Sequence, residues 1–407
     1  MNSKFYQNKG DRTKMHMLFY LAIIILTGIV VSKILGKFKL PNVTGYLIAG
    51  ILIGPSILGL IPSDAIGNFS VISEMALAFI AYSIGSELNL ERLKKIGKGI
   101  LPITFFESFF PMLFVSLGTI FIFKQPVFMG IILGAISAAT APAATIMVIK
   151  QYHARGPVVE TLLPVVALDD AAAIMYFGIA SSIGKALIDK SATISIINMI
   201  LIPLLEIILA LLLGLLTGII VAFISKKVKG EDELLSLIIA FIFLISGIAI
   251  QLNLSSLLTC MMFGATLANI IPSNRKVFTT IEQFTPPILI LFFVISGVEL
   301  NFSVLKTVGI LGIVYVILRA LGKFFGAYIG STISNSPKTV KQFLGLTLLP
   351  QAGVAIGLSM IAQNILPSPY GEQIRSIVLG GVIIYELIGP YIAKMALVKA
   401  GEIVEKN

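Results

Sequence analysis

Long apolar runs, separated by short segments rich in charges, proline and glycine, fill almost the whole of this chain. A helix of roughly 20 apolar residues is long enough to cross a bilayer. The pattern predicts thirteen helices, at residues 16–35, 43–60, 69–86, 97–123, 126–149, 157–183, 192–225, 233–251, 254–271, 284–299, 304–333, 340–365 and 372–399. We therefore predict an all-α polytopic membrane protein with thirteen transmembrane helices.

Matching segments recur in the two halves of this pattern. The matching positions, with offsets of 210, 212 and 208 residues, are Pro62 and Pro272, Glu87 and Glu299, and Pro142 and Pro350. The repeat units are then residues 16–183 and 233–399, with helix 192–225 as a linker between them. Equivalent helices are separated by an odd number of crossings, which predicts an inverted-topology repeat, the usual plan of secondary transporters.

Two predicted helices in equivalent positions of the repeat are interrupted near their middle. Residues 126–149 contain Pro142 among small residues, and residues 340–365 contain Pro350, Gln351 and Gly353. Proline removes a backbone donor and clashes with the preceding turn. Two kinked packing helices would explain each proline separately. A symmetric pair of broken helices, however, is typical of a transport site, where opposed helix ends and free carbonyls bind an ion.

Composition and charge agree with a membrane protein. Of the 407 residues, 57% are hydrophobic and 12% are charged, whereas soluble domains have about 25% charged residues. One cysteine excludes a disulfide framework within the chain. The polar start, residues 1–14, leads into the first apolar run without a small-residue cleavage site, so we expect no signal peptide.

The basic residues are distributed unevenly between the two predicted sides of the membrane. The side that holds the C-terminus carries nineteen Lys and Arg, and the other side carries nine. Loops with an excess of Lys and Arg are cytoplasmic, so we expect a cytoplasmic C-terminus and an external N-terminus. The net charge of +10 follows from these loops, and no basic–aromatic cluster indicates nucleic-acid binding.

Two adjacent aspartates, Asp169 and Asp170, lie near the middle of predicted helix 157–183. A carboxylate at this depth costs about 3 kcal/mol or more on insertion scales. Two neighbouring carboxylates also repel each other, which favours protonation of one of them. A buried salt bridge or a helix cap is the alternative explanation, but one cation neutralises only one of the two. The pair therefore indicates an ion or proton site.

Two cations, Arg319 and Lys323, lie four residues apart in predicted helix 304–333 and so share one helix face. Snorkelling to an interface is the alternative for long basic side chains. Lysine can lose its proton during a transport cycle, whereas arginine cannot, so we assign Lys323 to the aspartate pair. Glu107, in predicted helix 97–123, is then the expected partner of Arg319 in a structural ion pair.

Four segments of the chain resemble the cation:proton antiporter superfamily, in particular its second family, which contains NapA-type Na⁺/H⁺ antiporters and Kef-type K⁺ efflux systems. These segments are LPNVTGYLIAGILIGPSILGLI (40–61), ATAPAAT (139–145), LDDAAAI (168–174) and GKFFGAYIG (322–330). The resemblance covers nearly the whole chain. The two aspartates followed by a later lysine are typical of the sodium-type branch, because Kef-type proteins have Gln in place of the first aspartate.

The resemblance implies a role for each site residue. Asp170 would be the main ion and proton carboxylate, and Asp169 would pair with Lys323. The candidate Na⁺ ligands would be Asp170, Asp169 and Thr140. No cofactor would be needed beyond the transported cation and protons. Where many relatives carry an acidic residue in the crossover, this chain has Ala141 before Pro142, so one possible ligand is missing.

The resemblance also implies an architecture of the NapA and NhaA type. Helices within 16–86 and 233–299 would form a dimerisation subdomain, and helices within 97–183 and 304–399 a mobile core. Members of the family are homodimers that work by elevator-like alternating access, here in the inner membrane of a prokaryote, where exchange serves pH homeostasis. No nucleotide-binding regulatory domain follows the last predicted helix, which argues against a complete Kef-type system.

The sequence thus predicts a transporter, not an enzyme, that exchanges Na⁺ or Li⁺ for protons. Two acids and one lysine permit more than one proton per cation, so we expect the exchange to be electrogenic. K⁺/H⁺ exchange of the Kef type and organic-anion transport on the same fold are the alternatives. An intramembrane aspartyl protease would carry its aspartates on two helices with a GxGD motif, which this chain lacks. A channel would not need the inverted repeat.

Overall fold

The computed structural model describes residues 15–88, 97–188, 201–228, 230–271, 277–300 and 303–403. Within these ranges the fold is entirely helical and contains no β-strand, so the predicted all-α class is confirmed. The main helices are α1 Met17–Gly36, α2 Asn42–Ile53, α3 Ser70–Glu87, α4 Ile100–Leu117, α5 Val127–Ala138, α6 Pro142–Tyr152, α7 Pro157–Ile188, α8 Ile202–Ser225, α9 Glu231–Gln251, α10 Ser256–Ile270, α11 Val277–Glu299, α12 Ser303–Ile333, α13 Lys338–Thr347, α14 Gly353–Ile365 and α15 Tyr370–Lys399.

Both predicted interruptions are complete breaks. Predicted helix 126–149 is divided into α5 and α6, and predicted helix 340–365 into α13 and α14. Pro142 is the first residue of α6, where the missing N–H has no intrahelical acceptor to lose. Proline therefore starts a half-helix here rather than kinking a continuous one. Residues 192–200 of the predicted linker helix and Pro272 of the repeat lie outside the described ranges.

Eight helical segments in the described part of the chain are long and apolar enough to cross a membrane. Others are apolar but shorter, at 10–17 residues, among them Asn42–Ile53 and Ser256–Ile270. The lengths and compositions agree with a multi-pass membrane protein. The count of thirteen crossings stays a prediction.

The helices pack in two groups. In one group α2 packs against α1 and α11, and α10 packs against α3 and α8. In the other group α12 packs against α4, α5 lies between α4 and α7, and α15 contacts α12, α13 and α14. The groups meet where α2 contacts α6 and α15, and where α7 contacts α3 and α8. Both broken helices belong to the second group, close to this boundary.

A ridge of glycines brings α12 unusually close to α4. Gly322, Gly326 and Gly330 are spaced by four residues, as in the small-residue motifs of membrane helices. A Cβ added to Gly326 would lie 2.2 Å from the carbonyl oxygen of Phe106, so no larger residue fits without moving a helix. This close approach brings the Lys323 side chain to Glu107 of α4.

Candidate ion-binding site

The two breaks contact each other at the centre of the second group. The Ala141 N–H donates to the carbonyl of Pro350 over 2.8 Å. The Thr145 hydroxyl, one turn into α6, donates to the carbonyl of Thr347 at the end of α13 over 2.9 Å. Donors at the first break thus satisfy two carbonyls at the second, as buried non-helical backbone requires.

Arg319 binds the carbonyl ends of both broken helices. Its guanidinium donates to the carbonyls of Ser137 (2.9 Å), Ala139 (2.7 Å) and Leu349 (2.6 Å). Its carbon Cζ also lies 4.5 Å from the centre of the Tyr385 ring. The side chain is fully buried. A positive charge at two helix C-termini offsets their partial negative charge and satisfies carbonyls that the breaks leave free.

The predicted ion pair between Glu107 and Arg319 is wrong. Glu107 Oε2 lies 2.7 Å from Lys323 Nζ instead, with both side chains fully buried. The reason is geometric: the planar guanidinium has five donors in a fixed fork, which suits several carbonyls at once. The compact ammonium of Lys323 is left for the carboxylates.

Lys323 joins Glu107 to the aspartate pair. Its Nζ lies 3.3 Å from Asp169 Oδ2 and donates to the carbonyl of Ala138 over 2.6 Å. Asp169 is fully buried. The ammonium therefore contacts two carboxylates and the end of α5, and the contact with Glu107 is shorter than the contact with Asp169.

Asp170 faces a different environment from its neighbour. Successive residues on a helix point about 100° apart, so Asp169 reaches Lys323 while Asp170 lines a cavity of about 550 Å³. Its Oδ1 atom is buried and has no hydrogen-bond partner among the residues that the structure describes, and the same holds for Thr140 Oγ1. Thr140 lines the same cavity. Two residues that line one space thus each have a buried oxygen without a hydrogen-bond partner.

This cavity, here called the central cavity, lies between the two helix groups. Its lining includes Phe292 of the first group and both breaks, with Ala141 on one and Ala352 on the other. Oxygen ligands of this kind suit a hard cation. Across the described ranges no cluster of three or more His, Cys, Asp or Glu side chains is arranged to hold a resident metal.

A second cavity, of about 830 Å³, lies nearer the other end of α11. It is lined by Thr285 of that helix and by Lys150 and Arg155, whereas the central cavity is lined by Ser296 and Glu299. Asp170 lines the central cavity but not the second one. Asp170 therefore borders the cavity that lies nearer the C-terminal end of α11.

Gln351, predicted as part of a broken helix, ties the second break in place. Its Nε2 donates to the carbonyl of Ile136 over 3.2 Å, and its Oε1 accepts from the Tyr315 hydroxyl over 3.0 Å. Gly353, the other predicted residue, is the first of α14. The sequence predicts Gln351 and Gly353 at the break but indicates no role for Tyr315. The signal that could have found it is that a buried tyrosine usually has a hydrogen-bond partner.

Glu402, near the end of the chain, caps the helix that carries the aspartates. Its carboxylate accepts from the N–H groups of Val158 (2.6 Å) and Val159 (3.0 Å), in the first turn of α7. Burial raises the pKa of this carboxyl, while the two N–H donors act in the opposite direction. No local pattern in the sequence indicates this cap, because Glu402 lies 244 and 243 positions away from Val158 and Val159.

We expect Glu402→Ala to destabilise the protein by about 0.5–2 kcal/mol, the usual effect of losing an N-terminal cap. The measurement is the midpoint of thermal unfolding in detergent. Glu372→Ala is the matched control, because Glu372 is an exposed residue in the first turn of α15. Equal midpoints for the two variants would show that the cap does not stabilise α7.

Comparisons with known proteins identify the family of this fold. Residues 21–399 match the family described as "Sodium/hydrogen exchanger, transmembrane". A Na⁺/H⁺ antiporter of Enterococcus hirae is 26% identical over 93% of this chain and 99% of its own. An ammonium/H⁺ antiporter subunit, AmhT of Alkalihalophilus pseudofirmus, is 21% identical over 91% of this chain and 92% of its own.

A solved structure has the same fold. The sodium proton antiporter MjNhaP1 of Methanocaldococcus jannaschii, at pH 8, superposes with a TM-score of 0.74 over 96% of this chain and 99% of that chain, at 21% identity.

Proposed function

Because this chain belongs to the sodium/hydrogen exchanger family, we propose that it exchanges Na⁺ or Li⁺ for protons, with Asp170 as the group for which the two compete. Cation/proton exchange by a multi-pass membrane protein is supported by the family and by relatives such as the Enterococcus hirae antiporter. To this we add the preference for Na⁺ or Li⁺ and the residues of the site. The chain would thus be a transporter and not an enzyme.

The observation that carries the proposal is that Asp170 lines the central cavity and has a buried Oδ1 atom with no hydrogen-bond partner among the described residues. An uncompensated carboxylate in a closed site costs several kcal/mol, so a proton or a cation must accompany it whenever the site is shut off from water. Asp170 binds one or the other but not both, and this exclusion gives exchange rather than co-transport. Thr140 Oγ1 would complete the cation's ligands.

The charges around Lys323 support an electrogenic cycle. The site holds three carboxyls, those of Glu107, Asp169 and Asp170, and one ammonium, so two further positive charges are needed to neutralise it. Lys323 keeps Glu107 (2.7 Å) and the Ala138 carbonyl (2.6 Å) when it leaves Asp169 (3.3 Å). An arriving cation can therefore draw Asp169 away from Lys323 and replace the protons on both aspartates. The cation-bound site is then one charge more negative than the doubly protonated site, which makes the exchange electrogenic.

The two cavities support alternating access. They lie toward opposite ends of α11, and sliding of one helix group against the other would expose Asp170 to each in turn. The excess of Lys and Arg on the predicted cytoplasmic side supports a cytoplasmic position for the second cavity, which Lys150 and Arg155 line. The central cavity then opens outward. We further propose a homodimer formed through helices within 16–86 and 233–299, in a prokaryotic inner membrane.

The test is proton-coupled uptake by the purified protein in proteoliposomes, with Na⁺, Li⁺ and K⁺ presented in turn. We expect Na⁺ and Li⁺ to dissipate an imposed pH gradient, and the rate to respond to membrane potential. A response to K⁺ alone would favour the Kef-type alternative. Uptake of a labelled organic anion with no response to any cation would end the proposal.

A further inference from the structure

A second buried carboxyl shares the central cavity with Asp170. Glu386, in the middle of α15, is 5% exposed and lines the cavity. It has no hydrogen bond or ion pair to any other residue in the part of the chain that the structure describes. A carboxyl in this position has either a proton or a ligand from the cavity, since a buried unpaired charge is costly.

Glu386 lies at the depth of the broken helices and not at a membrane surface. A Cβ on Gly389 would lie 2.9 Å from Cγ of Pro350 in the second break. Glu386 precedes Gly389 by three residues, which is about 4.5 Å along the helix axis. The neighbouring Tyr385 faces the other way, with its hydroxyl on the carbonyl of Val316.

Neither buried cation of this region neutralises Glu386. Arg319 is occupied by three backbone carbonyls, and Lys323 by Glu107 and Asp169. The other acid that lines the cavity besides Asp170 is Glu299 at the end of α11, which is more exposed. No Lys or Arg in the described part of the chain lines the cavity, so a positive charge that enters through the cavity can reach Glu386 without rearranging these contacts.

We propose that Glu386 is a second monovalent-cation site in the central cavity, occupied by the cation before it reaches Asp170. This inference rests on the proposed function and adds a binding residue to it. Glu386 belongs to the same helix group as Asp170, whereas Glu299 belongs to the other group. The cation would therefore move from the cavity mouth to Glu386 and then to Asp170, all within one cavity of about 550 Å³.

The first test compares transport kinetics of Glu386→Gln, Glu386→Asp and Glu372→Gln in proteoliposomes. Glu372 is an exposed acid on the same helix and serves as the matched control. For Glu386→Gln we expect the KM for Na⁺ to rise about tenfold, because a charge-assisted contact is lost, with kcat within about twofold of wild type. Glu386→Asp is expected to recover part of the affinity, which a loss of packing alone would not predict.

The second test measures ²²Na⁺ binding to the detergent-purified full-length protein. Asp170→Asn is expected to retain weak Na⁺ binding, and Asp170→Asn combined with Glu386→Gln to lose it. This arm needs no transport, so it decides the inference even if the wild type fails to exchange cations. The inference is overturned if Glu386→Gln has an unchanged KM for Na⁺, whether or not its kcat falls. It is also overturned if the single and double variants bind Na⁺ equally.

Discussion

Asp170→Asn is expected to reduce proton-coupled cation uptake by roughly a hundredfold or more. Asparagine keeps the size of the side chain and an oxygen acceptor but removes the charge. A contact with a charged group contributes about 1.5–3 kcal/mol, and this contribution is lost. Asparagine also has no titratable proton to exchange. Initial rates in proteoliposomes, from the decay of an imposed pH gradient, give the measurement.

The matched control is Asp232→Asn, which removes the same charge from an exposed residue in the first turn of α9. It is expected to leave the rate unchanged. Asp169→Asn is informative as well, since Asp169 is already paired with Lys323 and its loss alters that pairing rather than the unpaired oxygen of Asp170. Normal exchange by Asp170→Asn would remove Asp170 from the mechanism.

The helices and breaks could be predicted because their signals are local. Apolar runs bounded by charges locate helices, and the prolines near residues 142 and 350 mark the breaks. The cost of intramembrane charge likewise singled out Asp169 and Asp170 without any structure. The positions of helices, breaks and intramembrane charges depend on residues within a few turns of one another, so the sequence alone indicates them.

The partners of the buried cations could not be predicted in the same way. A four-residue spacing shows that Arg319 and Lys323 share a face, but it does not show which neighbouring helix each of them meets. The actual partners of Arg319 are backbone carbonyls. Every residue has a carbonyl, so residue types do not indicate which ones Arg319 binds. Whether a cation of α12 pairs with Glu107 or with carbonyls depends on how closely the glycine ridge of α12 approaches α4. That distance is a property of the packed structure.

Arg319→Met is expected to cause the largest loss of stability of any single substitution at this site. The methionine fills much of the space but leaves the carbonyls of Ser137, Ala139 and Leu349 without donors. Each buried acceptor left unsatisfied costs about 1–3 kcal/mol, and the favourable charge at two helix C-termini, up to about 2 kcal/mol, is lost as well. Thermal unfolding in detergent, followed by intrinsic tyrosine fluorescence or by aggregation, measures the effect.

Two further variants separate the carbonyl contacts from charge alone. Arg319→Lys keeps the charge, but a single ammonium lacks the planar fork that reaches three carbonyls, so an unfolding midpoint between those of wild type and Arg319→Met is expected. Arg155→Met, at an exposed arginine, should change the midpoint little. If Arg319→Met melted at the same temperature as Arg155→Met, the breaks would be held by their own contacts, such as that of Ala141 with Pro350, and Arg319 would have to act in transport instead.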